Sequence, residues 1–88
     1  MNNKDLLKKI KKNNVEKIGF NNNPFKHIKE NKFFNVFFYR GNKLLFVVSM
    51  KKENIILFMK NNLKLFNEYW LNESLLNDKI KNKGVIYI

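Results

Sequence analysis

The spacing of apolar residues near the start of the chain predicts an amphipathic helix over Asn3–Lys12. Its apolar side chains recur at helical intervals and its lysines fall on the opposite side. The apolar positions are Leu6, Leu7 and Ile10. Asn2 or Asn3 can cap this helix, because a short amide side chain accepts a hydrogen bond from the first turn. The pair Asn13-Asn14 then ends the helix, and residues 15–20 predict a short strand.

Two runs rich in aromatic and β-branched residues, 33–40 and 43–50, predict a β-hairpin. The intervening Gly41-Asn42 is a two-residue link suited to a primed turn. A regular hairpin would place Phe37 opposite Phe46 on one face and Phe38 opposite Leu45 on the other. Both faces are then apolar, so we expect another part of the protein to cover the second face.

Residues 54–70 show helical periodicity, with one half of the helical wheel largely apolar, and they predict a long amphipathic helix. A further helix is predicted over Glu73–Lys81, followed by Gly84 and a last strand over residues 85–88. That strand would extend an edge of the sheet or shield its spare face. The sequence therefore predicts a single α+β domain over residues 1–88, with a small antiparallel sheet, a central Gly-Asn hairpin and flanking helices.

Several classes of chemistry are disfavoured by composition. The chain has no Cys, one His and seven acidic residues among its 88, so disulfides and thiolate sites are excluded and no metal or cofactor is expected. The sequence has neither paired carboxylates nor a Gly-rich phosphate loop, so we expect no small-molecule substrate. The apolar runs are far shorter than the roughly 20 residues that cross a bilayer, and the N-terminus is polar. We expect a cytoplasmic protein that does not bind membranes.

The formal net charge of +11 is the strongest indication of a function. Residues 1–32 carry nine Lys against three acids, whereas residues 54–88 carry five Lys against three. AT-rich coding alone favours Lys and Asn, but it does not explain the scarcity of acids. Such a positive field attracts nucleic acid or an acidic protein.

The order of elements resembles that of double-stranded-RNA-binding domains, which run α-β-β-β-α. Pro24 and His27 match the Pro and His of that family's loop, and residues 49–53 are similar to its Lys-rich helix entry. The resemblance implies that the loop enters a minor groove while lysines at a helix N-terminus meet phosphates. We predict an RNA-binding or anion-binding set. It consists of Lys8, Lys9, Lys12, Lys26, His27, Lys51 and Lys52.

Residues 4–10, followed by Asn13-Asn14, are similar to the first helix of HicA toxins, and Phe25-Lys26-His27 is similar to their second-strand entry. These toxins are small basic ribonucleases that pair with an antitoxin. The resemblance implies a ribonuclease in which His27 would serve as general base, since a His of near-neutral pKa can deprotonate a ribose hydroxyl. A lone loop His more often has no catalytic task.

Three functions follow from these observations. The first is a small basic protein that binds structured RNA or a nucleoprotein, the second is the ribonuclease toxin, and the third is a phage or mobile-element inhibitor or adaptor. The third would dock on an acidic surface of a nucleic-acid-handling protein complex through an apolar face with a polar rim. Its predicted interface comprises Phe34, Val36, Phe38, Arg40, Lys43 and Leu45. A homodimer would cover the same face equally well.

Overall fold

The computed structural model describes residues 2–22, 33–66 and 73–88. The helices are α1 (Asn3–Lys12), α2 (Lys52–Asn61) and α3 (Glu73–Lys81), and the strands are β1 (Lys17–Asn22), β2 (Phe33–Arg40), β3 (Lys43–Lys51) and β4 (Val85–Tyr87). The strands form one antiparallel sheet in the order β3-β2-β1-β4, and the helices contribute to a single core on one face. The α+β prediction is confirmed. Within the described residues, no helix has the length and apolar content to cross a membrane.

Helix α1 has the predicted bounds because neighbouring residues form hydrogen bonds with the free backbone groups at both of its ends. The Asn2 side chain accepts the Asp5 N–H at 2.8 Å, which pairs one of the free donors of the first turn. At the other end Asn14 has a φ of +52°, and the Val15 N–H donates to the Ile10 carbonyl at 3.2 Å. This is a Schellman ending, with a left-handed residue that Asn tolerates and a buried apolar residue after it.

The hairpin forms, but its predicted register is wrong beyond the first two pairs. Tyr39 lies opposite Leu44, whereas the next residue, Phe38, lies opposite Phe46. Leu45 is therefore an extra residue, a β-bulge that shifts every later pair by one position. The predicted pairing of Phe38 with Leu45 assumed an unbroken ladder, and no local feature of this run shows where a bulge lies.

The core lies on the face of the sheet that carries Phe34, Val36 and Phe38, whose side chains are 5%, 2% and 1% exposed. This corrects the predicted protein interface, because these three side chains pack against the helices and are not available to a partner. Leu45 is half-buried against the same core, while Arg40 and Lys43 are exposed beside the turn. Both hairpin faces are apolar, so the sequence pattern alone did not indicate which one the helices cover.

The predicted long helix over residues 54–70 is shorter in the structure. Helix α2 ends at Asn61, a 3₁₀ turn follows over Leu63–Leu65, and residues 67–72 lie outside the described part of the chain. The Asn62 side chain donates to the Phe58 carbonyl at 2.8 Å, satisfying one of the last acceptors of the helix. Asn is suited to this role, since its short amide competes with helical backbone bonds. On the helical wheel of residues 54–70, Asn62 is a polar residue within the largely apolar half.

The last strand extends the sheet. Strand β4 pairs antiparallel with β1, placing Tyr87 opposite Lys17 and Val85 opposite Gly19. It is positioned by the Schellman ending of α3, in which Lys83 has a φ of +56° and the Gly84 N–H donates to the Lys79 carbonyl at 2.7 Å. The chain therefore turns directly from α3 into an edge strand.

Candidate nucleic-acid interface

The face of the sheet opposite the core, here called the open face, is covered by none of the described helices. Antiparallel pairing arranges its side chains in rows across the strands, because residues directly opposite each other share a face. One row comprises Tyr87, Lys17, Tyr39 and Leu44, and the next comprises Val85, Gly19, Phe37 and Val47. Tyr87 is 52% exposed, and Leu44 and Val47 are each 45% exposed. The open face is thus an aromatic and aliphatic surface in contact with solvent.

A pocket of about 400 Å³ lies on the open face above Gly19, and we call it the Gly19 pocket. Phe37 and Tyr39 flank it, with ring centroids 6.5 Å apart and an interplanar angle of 29°. Gly19 leaves this space because it lacks a side chain, and a Cβ placed there would lie 3.5 Å from the Tyr39 ring. The pocket therefore presents flat aromatic groups beside bare backbone, an arrangement that admits another flat group.

Two lysines lie at the rim of the Gly19 pocket, Lys17 from β1 and Lys83 from the end of α3. The Lys17 ammonium lies 5.1 Å from the centroid of the Tyr39 ring, within cation–π range. Asn21 and Asn42 also line the pocket and add amide hydrogen-bonding groups. The site thus combines stacking surfaces, amides and positive charge.

A second depression of about 450 Å³ adjoins the first around the end of the sheet. It shares Lys17 and Asn42 with the Gly19 pocket and extends to Tyr87. Glu16 also lines it and is exposed, so one negative charge lies close to Lys17. The two depressions therefore adjoin at Lys17 and Asn42, and the second continues around the end of the sheet to Ile88.

Among the described members of the predicted lysine set, Lys9 and Lys51 lie on opposite sides of the sheet. Lys9 lies on the core side of the sheet, its ammonium 4.4 Å from the centroid of the Phe46 ring. Lys51 lies on the open face, 5.8 Å from the centroid of the Phe33 ring. Lys8 and Lys12 are exposed on α1, and Lys52 begins α2. The remaining two predicted residues, Lys26 and His27, lie outside the described residues, so the ribonuclease hypothesis stays a prediction.

Sequence reasoning missed the residues that form the Gly19 pocket. Lys17 and Lys83 are distant in sequence from each other, neither belongs to the predicted set, and the pairing of β4 with β1 brings them to the same rim. The signal that could have found Phe37 and Tyr39 is the apolar character of both hairpin faces, because helices packed on one side of a sheet cover only one of them. Among the described residues, no cluster of three or more His, Cys, Asp or Glu side chains comes together to hold a metal ion.

Known proteins provide no match from which the role of this site could be inferred. No protein-family model matches the chain, and no curated protein and no solved structure match it either.

Proposed function

We propose that the protein binds RNA and holds unpaired bases, such as those in the loops of a structured RNA, on the open face of its sheet. The observation that carries this proposal is the Gly19 pocket, in which Phe37 and Tyr39 flank bare backbone beneath a rim formed by Lys17 and Lys83. Aromatic side chains on an exposed sheet are a common means of stacking unpaired bases. The adjacent lysines supply the phosphate contacts such binding requires.

The charge of the chain supports the same function. A net charge of +11 on 88 residues attracts a polyanion over distances of about a Debye length, roughly 10 Å at 0.1 M salt. Stacking then holds the bases at short range, with each base–aromatic contact contributing about 1–3 kcal/mol. The double-stranded mode implied by the family resemblance relies instead on a lysine cluster and a loop. The structure separates Lys9 from Lys51, so the open face is the better supported surface.

Fluorescence polarisation with two labelled RNAs tests the proposal. One probe is an unstructured single strand and the other is a fully paired duplex of the same length. We expect the single strand to bind more tightly, with an affinity that falls steeply as salt rises. A preference for the duplex would overturn the proposal in favour of the double-stranded mode.

A matched pair of variants locates the binding surface. Tyr87→Ala removes a ring from the open face, and Leu57→Ala removes an apolar side chain of equal exposure, 52%, from α2. We expect Tyr87→Ala to weaken single-strand binding about 5- to 150-fold, the equivalent of one lost stacking contact, and Leu57→Ala to leave it unchanged. Equal effects of the two substitutions would place the RNA elsewhere.

A second candidate, docking on a nucleic-acid-handling protein, is favoured by Leu44 and Val47. Both are 45% exposed on the open face, and Val47 neighbours Phe37, so this part of the face is apolar and resembles the core of a protein interface. Pull-down from lysate with and without nuclease separates the two candidates. A partner retained after nuclease and lost in Val47→Asp supports protein docking, whereas a partner lost after nuclease supports RNA binding.

A further inference from the structure

A second surface, on the helical side of the molecule, has different chemistry. A groove of about 520 Å³ lies between α1 and the end of α2, and we call it the α1–α2 groove. Its lining alternates apolar and cationic side chains. They include Leu7, Lys11, Lys60, Leu63, Lys64 and Leu65. The leucines are half-buried, whereas the three lysines are exposed, so apolar surface lies between positively charged groups.

One carboxylate of the protein itself already binds at this groove. The Lys60 ammonium lies 3.2 Å from a carboxylate oxygen of Glu73 at the start of α3, and both side chains are more than half exposed. Exposed ion pairs of this kind contribute little to stability and exchange readily with other partners. Within the described part of the chain, Lys11 and Lys64 form no ion pair with an acid. Both side chains are exposed and line the groove, where their charge attracts an acidic group from another molecule.

The composition of the groove favours an acidic peptide over nucleic acid. Among the described residues that line it, none is aromatic, so it offers no ring on which a base can stack. None of the described lining residues lies in the first turn of an α-helix, where backbone N–H groups bind phosphates. Lys11 and Lys60 instead belong to the last turns of their helices. Anions are thus attracted only by lysine side chains, while the leucines require an apolar group.

We propose that the α1–α2 groove binds an acidic amphipathic peptide segment of a partner protein. Apolar side chains of the segment would contact Leu7, Leu63 and Leu65, and its carboxylates would pair with Lys11 and Lys64. This is the helix-in-groove mode of peptide recognition, combined with charge complementarity that guides association. The proposal is independent of RNA binding, because the groove and the Gly19 pocket share none of their lining residues.

Fluorescence polarisation of the full chain with a labelled peptide tests this inference. The probe is a helical peptide of about 12 residues in which pairs of Leu alternate with pairs of Glu, spanning about three turns. A peptide with Gln in place of Glu is the control. We expect the Glu peptide to bind more tightly, Lys11→Ala and Lys64→Ala each to weaken it about two- to fivefold, and Glu73→Gln to strengthen it by a similar factor.

Lys12→Ala is the matched control, because Lys12 is the next residue of α1, carries the same charge and does not line the groove. It should leave peptide affinity unchanged, and single-stranded RNA should not displace the peptide. Equal losses in Lys11→Ala and Lys12→Ala would show attraction to net charge alone and overturn the proposal. Displacement by RNA, or no preference for Glu over Gln, would overturn it as well. Tyr87→Ala, which removes a ring of the RNA surface, should bind the peptide normally.

Discussion

The ring of Phe38 stacks on the ring of Phe46 across the central hairpin, with centroids 4.5 Å apart and planes inclined by 14°. The bulge at Leu45 makes this contact possible, since an unbroken ladder would place Phe46 on the other face. Phe46, Val48 and Met50 consequently join the core side of the sheet. Phe37 and Tyr39 are left on the open face, where they flank the Gly19 pocket. One inserted residue thus determines both the packing of the core and the chemistry of the surface.

Substituting the two neighbouring phenylalanines should separate folding from binding. Phe38→Leu removes a ring that is 1% exposed and stacked on Phe46, and should lower the free energy of unfolding by about 1 kcal/mol. Phe37→Leu, on the open face, should cost less stability but weaken single-strand RNA binding. Urea denaturation and fluorescence polarisation measure the two effects. If Phe38→Leu weakened RNA binding as much as Phe37→Leu without unfolding the protein, the assignment of faces would be wrong.

Lys83→Gly should raise stability and lower RNA affinity in the same protein. Lys83 has a φ of +56°, a conformation that glycine adopts without steric cost, so unfolding should require up to about 1 kcal/mol more. The substitution also removes a positive charge from the rim of the Gly19 pocket. The slope of log affinity against log salt should therefore decrease by about 0.7.

Asn14→Gly is the control for the gain in stability and the loss of RNA affinity expected in Lys83→Gly. Asn14 has a comparable φ of +52° at the end of α1 but does not line the pocket. It should change stability little, because Asn already tolerates this conformation, and it should leave the salt slope unaltered. A salt slope that stays constant in Lys83→Gly would remove Lys83 from the proposed site.

Glu16→Gln should strengthen RNA binding. The exposed Glu16 side chain lines the second depression together with Lys17, at the end of the sheet beside the open face, where its charge opposes that of a phosphate. Neutralising it should raise affinity about two- to fivefold at low salt, and the gain should shrink as salt screens the interaction. Asp5→Asn, which removes a similar charge from α1, should have a smaller effect. Binding titrations at two salt concentrations provide the measurement.

Removing the N-terminal cap should destabilise the protein without affecting either proposed surface. Asn2→Ala deletes the side-chain acceptor of the Asp5 N–H and should cost about 0.5–2 kcal/mol. Thermal unfolding in parallel with wild type measures the loss, and Asn2→Ser, which restores an acceptor, should recover most of it. Equal stability of Asn2→Ala and wild type would mean that the cap contributes nothing.

Elements with local signals could be predicted from the amino-acid pattern. Helix α1 begins after a capping Asn and ends at Asn13-Asn14, strand β2 has its predicted bounds, and α3 ends shortly before Gly84. Each of these boundaries depends on hydrogen bonds and backbone conformations within a few residues, so the neighbouring residue types are sufficient to predict them. The α+β class and the basic character of the protein follow from the same local and compositional information.

The way the elements face one another could not be predicted from that pattern, because it depends on long-range packing. Both faces of the hairpin are apolar, so the side covered by the helices depended on packing with α1, α2 and α3. That packing buries Phe34 and leaves the half-buried Phe37 on the open face. The Leu45 bulge, which places Phe46 on the core side, likewise follows from the packing of the hairpin against the core. The Gly19 pocket requires Lys17 from β1 and Lys83 from the end of α3, which the pairing of β4 with β1 brings together. Contacts between residues so far apart along the chain leave no periodic pattern in the sequence.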